Sequence, residues 1–362
     1  MPESRRLRVV PAPDSSPRVT PAAGIIRTVG GDIAPENLGR TNYHEHLFQV
    51  SPLLAGDELD NEEASGHEAI SLVESGFGAM IEATPMGLGR NPAAVARIAA
   101  RAGLHAVHVT GAHHGGHYPE AHPIRALTED ELVDRWTTEI RHGFGEDPGA
   151  VSGDESSFGE RSGLAGDAAD SRGVSAPFGA SPVRAGMLKA GIRYWQIGPF
   201  ERRALAAVAR THAETGAAIM VHLDYGSAAH EVLELLERDG VSRDRVVLAH
   251  IDRNLDSGLH ADLIASGAYL GYDGPARHRE APDQAILECL ERVVARVGSD
   301  RILLGGDVAR ASRYLAYGGM PGLEYLGRRF IPRLEVRLGA DRVDALLADN
   351  AARLLTLAVN DG

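Results

Sequence analysis

The stretch Thr41-Asn42-Tyr43-His44-Glu45-His46-Leu47 begins as a strand and closes on two histidines one residue apart. Alternate side chains of a strand point to the same face, so both imidazoles can reach one metal ion beyond its C-terminal end. In a chain with 16 histidines such a pair also arises by chance. Recurrence gives it weight. The run Ala185-Gly186-Met187-Leu188-Lys189 ends on a lysine, Val221-His222 and Ala249-His250 end two further apolar runs on single histidines, and Gly306-Asp307 follows another on an aspartate.

Eight short apolar runs are spaced along the chain: 41–47, 78–83, 106–110, 185–189, 218–223, 246–251, 268–271 and 302–305. Amphipathic stretches at 92–102, 128–142, 201–215, 228–239, 285–297 and 343–356 lie between and after them. Strand and helix in alternation imply parallel pairing through right-handed crossovers, which an open doubly wound sheet would satisfy as well as a barrel. The barrel is favoured because metal-capable side chains end several different strands, and barrel enzymes build their sites at that rim. The expected fold is an α/β chain in the (β/α)8 TIM-barrel arrangement, one domain over residues 23–362. Residues 1–22, rich in Pro, Ser and Arg, read as a flexible tail. Residues 145–182 are dominated by Gly, Ser, Ala, Asp and Glu and read as a mobile insertion.

The 362 residues carry 43% hydrophobic and 24% charged side chains, the balance of a globular protein. A net charge of -13 repels a phosphate backbone, so nucleic acid is not an expected partner. A single cysteine, Cys289, excludes an internal disulfide framework and fits the cytoplasm. The arginines near the start precede a stretch broken by prolines, not an apolar signal core, and no run is long enough to span a bilayer.

The candidate ligand atoms are nitrogen and oxygen, which suits zinc, manganese, iron or cobalt better than calcium. Lys189 would be buried in a barrel. Burial and nearby cations favour its free amine, which can capture carbon dioxide, and the resulting carbamate offers one oxygen to each of two metals. A lysine paired with an acid is the alternative.

From Gly24 to the C-terminus, apart from the insertion, these residues in this order resemble the phosphotriesterase family of the amidohydrolase superfamily. The likeness rests on Gly39 to Leu47, on Ala185 to Lys189, on His222 and His250, and on Gly305-Gly306-Asp307. It implies that His44, His46 and Asp307 hold one of two divalent metals, zinc first among the candidates, and that His222 and His250 hold the other. Carboxylated Lys189 would join them. A water shared by the pair would supply hydroxide near neutral pH, with Asp307 carrying its proton to the leaving group. Homodimers are common in the family, so a homodimer is expected.

The family includes phosphotriesterases, acyl-homoserine lactonases and lactonases of phosphorylated sugars. Efficient phosphotriesterases extend the proton relay through an Asp and a His, at positions that hold Arg253 and Gly274 here. A lactonase is therefore expected ahead of a phosphotriesterase; a metal-containing binding protein with little turnover is the reading from another class. The segment Tyr272-Asp273-Gly274-Pro275-Ala276-Arg277-His278-Arg279-Glu280 resembles the branch acting on sugar-lactone phosphates. In that branch a basic cluster grips the phosphate, which makes Arg277 and Arg279 candidates, or else two solvated loop arginines. Glu280 stands where that branch has a tyrosine. Arg253, Asp273, Tyr118 and His114 complete the expected substrate contacts, and 317–322 resembles the family's substrate loop. The loop Gly111-Ala112-His113-His114-Gly115-Gly116-His117 is not expected to hold a third metal, because adjacent imidazoles point apart and no carboxylate accompanies them.

Overall fold

The structure, a computed structural model, describes residues 24–147, 182–277 and 280–358. The expected tail 1–22, the expected insertion other than residues 145–147 and 182, and the candidate Arg279 lie outside the described residues.

Two short strands, β1 (Gly24–Thr28) and β2 (Gly31–Ile33), form a hairpin. Eight parallel strands follow: β3 (Thr41–Glu45), β4 (Ala79–Glu82), β5 (His105–Gly111), β6 (Met187–Gly191), β7 (Ile219–His222), β8 (Val246–Ala249), β9 (Tyr269–Tyr272) and β10 (Ile302–Leu304). Each pairs with the next in sequence order, giving a nearly closed barrel. A last strand, β11 (Leu357–Ala358), returns to pair antiparallel with β1. This small three-stranded sheet was not expected from the sequence. It sits at the N-terminal end of the barrel strands, where the Val29 N–H donates to Ala106 O at 2.8 Å.

Alternation along the strands separates two cores. Ile81, Val107, Met187, Met220 and Val247 fill the lumen, while Met80, Ala106, Leu188, Ile219 and Leu248 pack outward against the helices. Lys189 is two residues beyond Met187 and so faces the lumen. Tyr43 fills the space beside β9, where any side chain at Gly271 would collide with its ring.

The helices are α1 (Glu62–Glu74), α2 (Pro92–Ala102), α3 (Glu129–Arg141), α4 (Pro199–Thr215), α5 (Ala229–Arg238), α6 (Ser257–Ala265), α7 (Asp283–Val297) and α8 (Ile331–Leu338). Local chemistry sets several ends. Thr128 and Glu131 form a reciprocal cap at the start of α3, and Gly103, with φ 69°, stops α2 in the left-handed region. The sequence reading passed over α1, α6 and α8. In α1, Ser65, Gly66 and Ser71 blur the apolar stripe. The helix expected at 343–356 is present as abutting segments, Ala340–Asp344, Ala345–Asp349 and Asn350–Leu355. Among the described residues no helix is long and apolar enough to cross a membrane.

Between β10 and β3 the seam is spanned by individual bonds. The Asp307 N–H donates to His44 O at 2.9 Å. Asn42 Oδ1 accepts from the Gly306 N–H at 3.2 Å and the His44 N–H at 3.3 Å, and Asn42 Nδ2 donates to Glu45 Oε1 at 3.2 Å. Asn42 is fully buried, so removing its amide would leave these groups without water or a partner. Asn42→Ala is expected to cost about 2–4 kcal/mol, since each stranded group costs about 1–3 kcal/mol. Urea unfolding checks this, and a loss within about 0.5 kcal/mol would mean the seam does not depend on Asn42.

Candidate metal centre

All six expected metal residues meet at the C-terminal rim. His44, His46, Lys189, His222, His250 and Asp307 line one pocket of about 600 Å³. His44 and His46 leave β3 where its register with β4 shifts, between Asn42 and Glu45. His250 directly follows the last residue of β8, Asp307 lies three residues beyond the end of β10, and both sit at positive φ, 63° and 41°. That conformation costs a non-glycine residue about 1–3 kcal/mol and recurs where a site requires a side chain turned inward.

Hydrogen bonds fix which nitrogen faces the centre in three of the four rings. Thr84 Oγ1 donates to Phe48 O at 2.6 Å, so it accepts the His46 Nδ1–H at 2.7 Å and leaves the lone pair on Nε2. Asp273 Oδ1 takes the His250 Nδ1–H at 2.7 Å, again leaving Nε2. Asp224 Oδ1 takes the His222 Nε2–H at 3.0 Å, which leaves Nδ1. His44 Nε2 lies 3.1 Å from Lys189 Nζ and 3.8 Å from Asp307 Oδ1, while its buried Nδ1 has no hydrogen bond among the described residues and lies 3.7 Å from Asp273 Oδ2. One ligand atom each from His44, His46 and Asp307 falls within 4.8 Å of the others. Lone pairs converging on one another with few protons between them repel, and a cation is the group that reconciles them. The donor set therefore fits divalent metal.

Electrostatics agree. Burial holds all four imidazoles below their ordinary value, with the cationic neighbours adding to it, so they are neutral donors. Burial also pulls the Lys189 amine down to about 8, although Asp307, Asp273 and Glu82 oppose it. For Asp307, burial favours the protonated form but is outweighed by the Arg277 and Arg253 guanidiniums, which hold the carboxyl well below the usual carboxylate range. Arg253 Nη2 donates to Asp307 Oδ2 at 2.8 Å. Arg277 donates to the same oxygen and to the Asp307 carbonyl.

Several expected substrate contacts are placed otherwise. Asp273 is fully buried, takes the His250 Nδ1–H and the Tyr43 hydroxyl, and does not line the pocket. From behind the strand ends it orients the His250 ring. Tyr118 is 1% exposed, its hydroxyl donating to Met86 O and accepting the His113 N–H. It braces the loop after β5. Tyr317, in the expected substrate loop, bonds Ser65 and Asn61 beside α1 and does not line the pocket. Arg253, Arg277 and His114 do line it. His113 and His114 do not point apart: their rings lie 4.5 Å from centroid to centroid, and Asp224 supplies the carboxylate that was not foreseen.

Thr84 and Asp224 escaped the sequence reading. The usable signal was positional: Asp224 follows His222 by two residues, and Thr84 follows the end of β4 by two. Thr84→Val keeps shape and removes the acceptor that orients His46. It should weaken metal binding about 10- to 100-fold, the usual effect of losing such a partner. Competition with a chelator measures this, and unaltered affinity would show that packing alone holds the ring.

The sequence profile of the Phosphotriesterase family matches residues 24–149 and 176–355. A phospho-furanose lactonase of Mycoplasmopsis synoviae is 27% identical over 345 residues, covering 91% of this chain and 91% of that protein. An N-acetyltaurine hydrolase of Danio rerio is 26% identical over 380 residues, covering 92% and 98%. The crystal structure of a lactonase from Listeria monocytogenes superposes with a TM-score of 0.78 at 29% identity, over 92% of this chain and 100% of that one. With the barrel, the histidines, lysine and aspartate at its rim and a profile match over most of its length, this chain belongs to the phosphotriesterase family.

Proposed function

We propose that the protein is a binuclear metal-dependent hydrolase that opens lactone rings. His44, His46 and Asp307 would hold one divalent cation and His222 and His250 the other, with Lys189 between them as its carbamate. The observation that carries this reading is the convergence of neutral imidazole lone pairs and an ionised carboxylate around a buried lysine amine. Zinc suits the set, and manganese, iron and cobalt take the same donors. Once bound, the cations would polarise a carbonyl and bring the pKa of a shared water to roughly 7.

The chain's own groups do the rest. Asp307 accepts a proton from the attacking water and returns it to the leaving oxygen. Arg253 and Arg277 hold that carboxylate ionised and aimed. Thr84, Asp224 and Asp273 keep three imidazoles in one tautomer each, so their lone pairs need no rearrangement.

A lactone suits this site better than a phosphotriester. Arg253 stands where a relay carboxylate would be needed, and a guanidinium never gives up its proton to pass another along. Gly274 offers no side chain at the second relay position, and its N–H donates to buried Asp252 Oδ2 at 2.8 Å. A lactone needs no relay beyond Asp307, because its alkoxide stays tethered after ring opening. The relatives named as lactonases favour the same substrate class. The N-acetyltaurine hydrolase favours a second one, the amide, which a substrate panel has to include.

Metal-loaded protein is expected to contain about two divalent ions per chain by elemental analysis. It should hydrolyse γ-lactones faster than an organophosphate triester or N-acetyltaurine. At most one metal per chain would remove the binuclear assignment, and faster triester turnover would reverse the substrate order. Asp307→Asn should lower kcat at least about a hundredfold.

Arg277 was expected to read an anionic group on the substrate. Its bonds to Asp307 and its approach to Glu280, 3.9 Å away, alter that expectation. Arg277→Ala should lower kcat on lactones with and without a phosphate, because both depend on Asp307. A loss confined to the phosphorylated lactone would return Arg277 to phosphate recognition.

A further inference from the structure

The loop after β5 gathers imidazoles beside the metal ligands under a different hydrogen-bonding rule. His113, His114 and His117 are each less than a tenth exposed, and one ring nitrogen from each lies within 4.8 Å of the others. A third metal is the obvious occupant, and the hydrogen bonds argue against it. A neutral imidazole has one N–H and one lone pair. His113 Nδ1 accepts from the His114 N–H at 2.8 Å, and His114 Nδ1 accepts from the Gly116 N–H at 3.1 Å. Their lone pairs are spent on the backbone, so each carries its proton on Nε2. His46, His222 and His250 do the reverse, giving one N–H to a hydroxyl or carboxylate and keeping the lone pair of the other nitrogen. His117 Nδ1 lies 2.8 Å from Ser51 Oγ, which accepts from the Leu53 N–H at 3.2 Å and has its own proton available for the ring.

Asp224 completes the group. A carboxylate oxygen of Asp224 lies within 4.8 Å of ring nitrogens of His114 and His222. The carboxylate accepts the His222 Nε2–H and, at 3.2 Å, the Tyr194 N–H, which leaves lone pairs for further donors. N–H donors alone would suit an anion, but a carboxylate among them repels one. A hydroxyl group satisfies both, accepting from an imidazole and donating to Asp224. All four residues line the pocket that contains Lys189 and Asp307.

We infer that His113, His114, His117 and Asp224 form a hydroxyl-reading subsite, selecting a substrate whose ring carries neighbouring hydroxyl groups. The inference rests on the hydrolase reading for its place in catalysis, and its geometry can be tested apart from turnover.

The metal-loaded protein, labelled with 15N-histidine, reports each ring's tautomer through two-bond proton–nitrogen correlations. Nε2–H is expected at His113 and His114, with shifts on adding ribitol and none on adding sulfate. Nδ1–H forms at both, or shifts with sulfate and not ribitol, would overturn the subsite. In kinetics, His114→Leu should raise KM for a pentono-γ-lactone, relative to γ-valerolactone, about fivefold for one lost hydrogen bond. His114→Gln, whose side-chain amide keeps a donor near the Nε2 position, should recover most of that ratio. Equal changes on both lactones would reduce His114 to a structural part, and one metal fewer per chain in His114→Leu would make the cluster a metal site. If the wild type opens neither lactone, the proposed function fails, and the tautomers and ribitol shifts still decide the subsite.

Discussion

The hydrogen bond from the Asp307 N–H to His44 O joins the last barrel strand to the first, and the centre depends on it. It brings a carboxylate from the end of β10 against imidazoles from β3, residues far apart in sequence. Asn42 reinforces the join from the same side, accepting the Gly306 N–H and the His44 N–H. Glu45, between the two histidines, accepts the Val308 N–H at 3.0 Å. The bonds that close the barrel are therefore the ones that place Asp307 against the β3 histidines, and the strained φ of Asp307 is held by bonds on both sides of it.

Around that join, charge and tautomer divide the pocket. On one side, buried Asp273 and Thr84 behind the strands, and Asp224 at the pocket wall, each take one N–H of a ring and leave the other nitrogen its lone pair. On the other, backbone N–H groups of a tight loop take the lone pairs, so N–H groups face inward. The same residue type thus serves opposite purposes, and the group at the far nitrogen decides which. The two arginines add a third influence. By crowding Asp307 Oδ2 they favour its ionised form, which suits a ligand and makes it a weaker acceptor for a proton in flight. A tethered leaving group tolerates that compromise better than one that diffuses away.

Much of this was legible in the chain itself. Short apolar runs that end on or beside His46, Lys189, His222, His250 and Asp307 declared both the alternating fold and the rim on which these side chains meet, because strand periodicity and the right-handed crossover leave few alternatives. Only the tertiary structure decided which neighbour holds each ring. Thr84 lies 38 residues from His46, and Asp273 lies 23 from His250. No local pattern links such pairs, since a hydrogen bond across strands depends on register and on the direction of a side chain at a strand end. The same blindness put Asp273 and Tyr118 against the substrate in the sequence reading, whereas packing buries both. It also set His113 and His114 apart, because adjacency along an extended chain says nothing of a loop that folds one ring back over the next backbone amide.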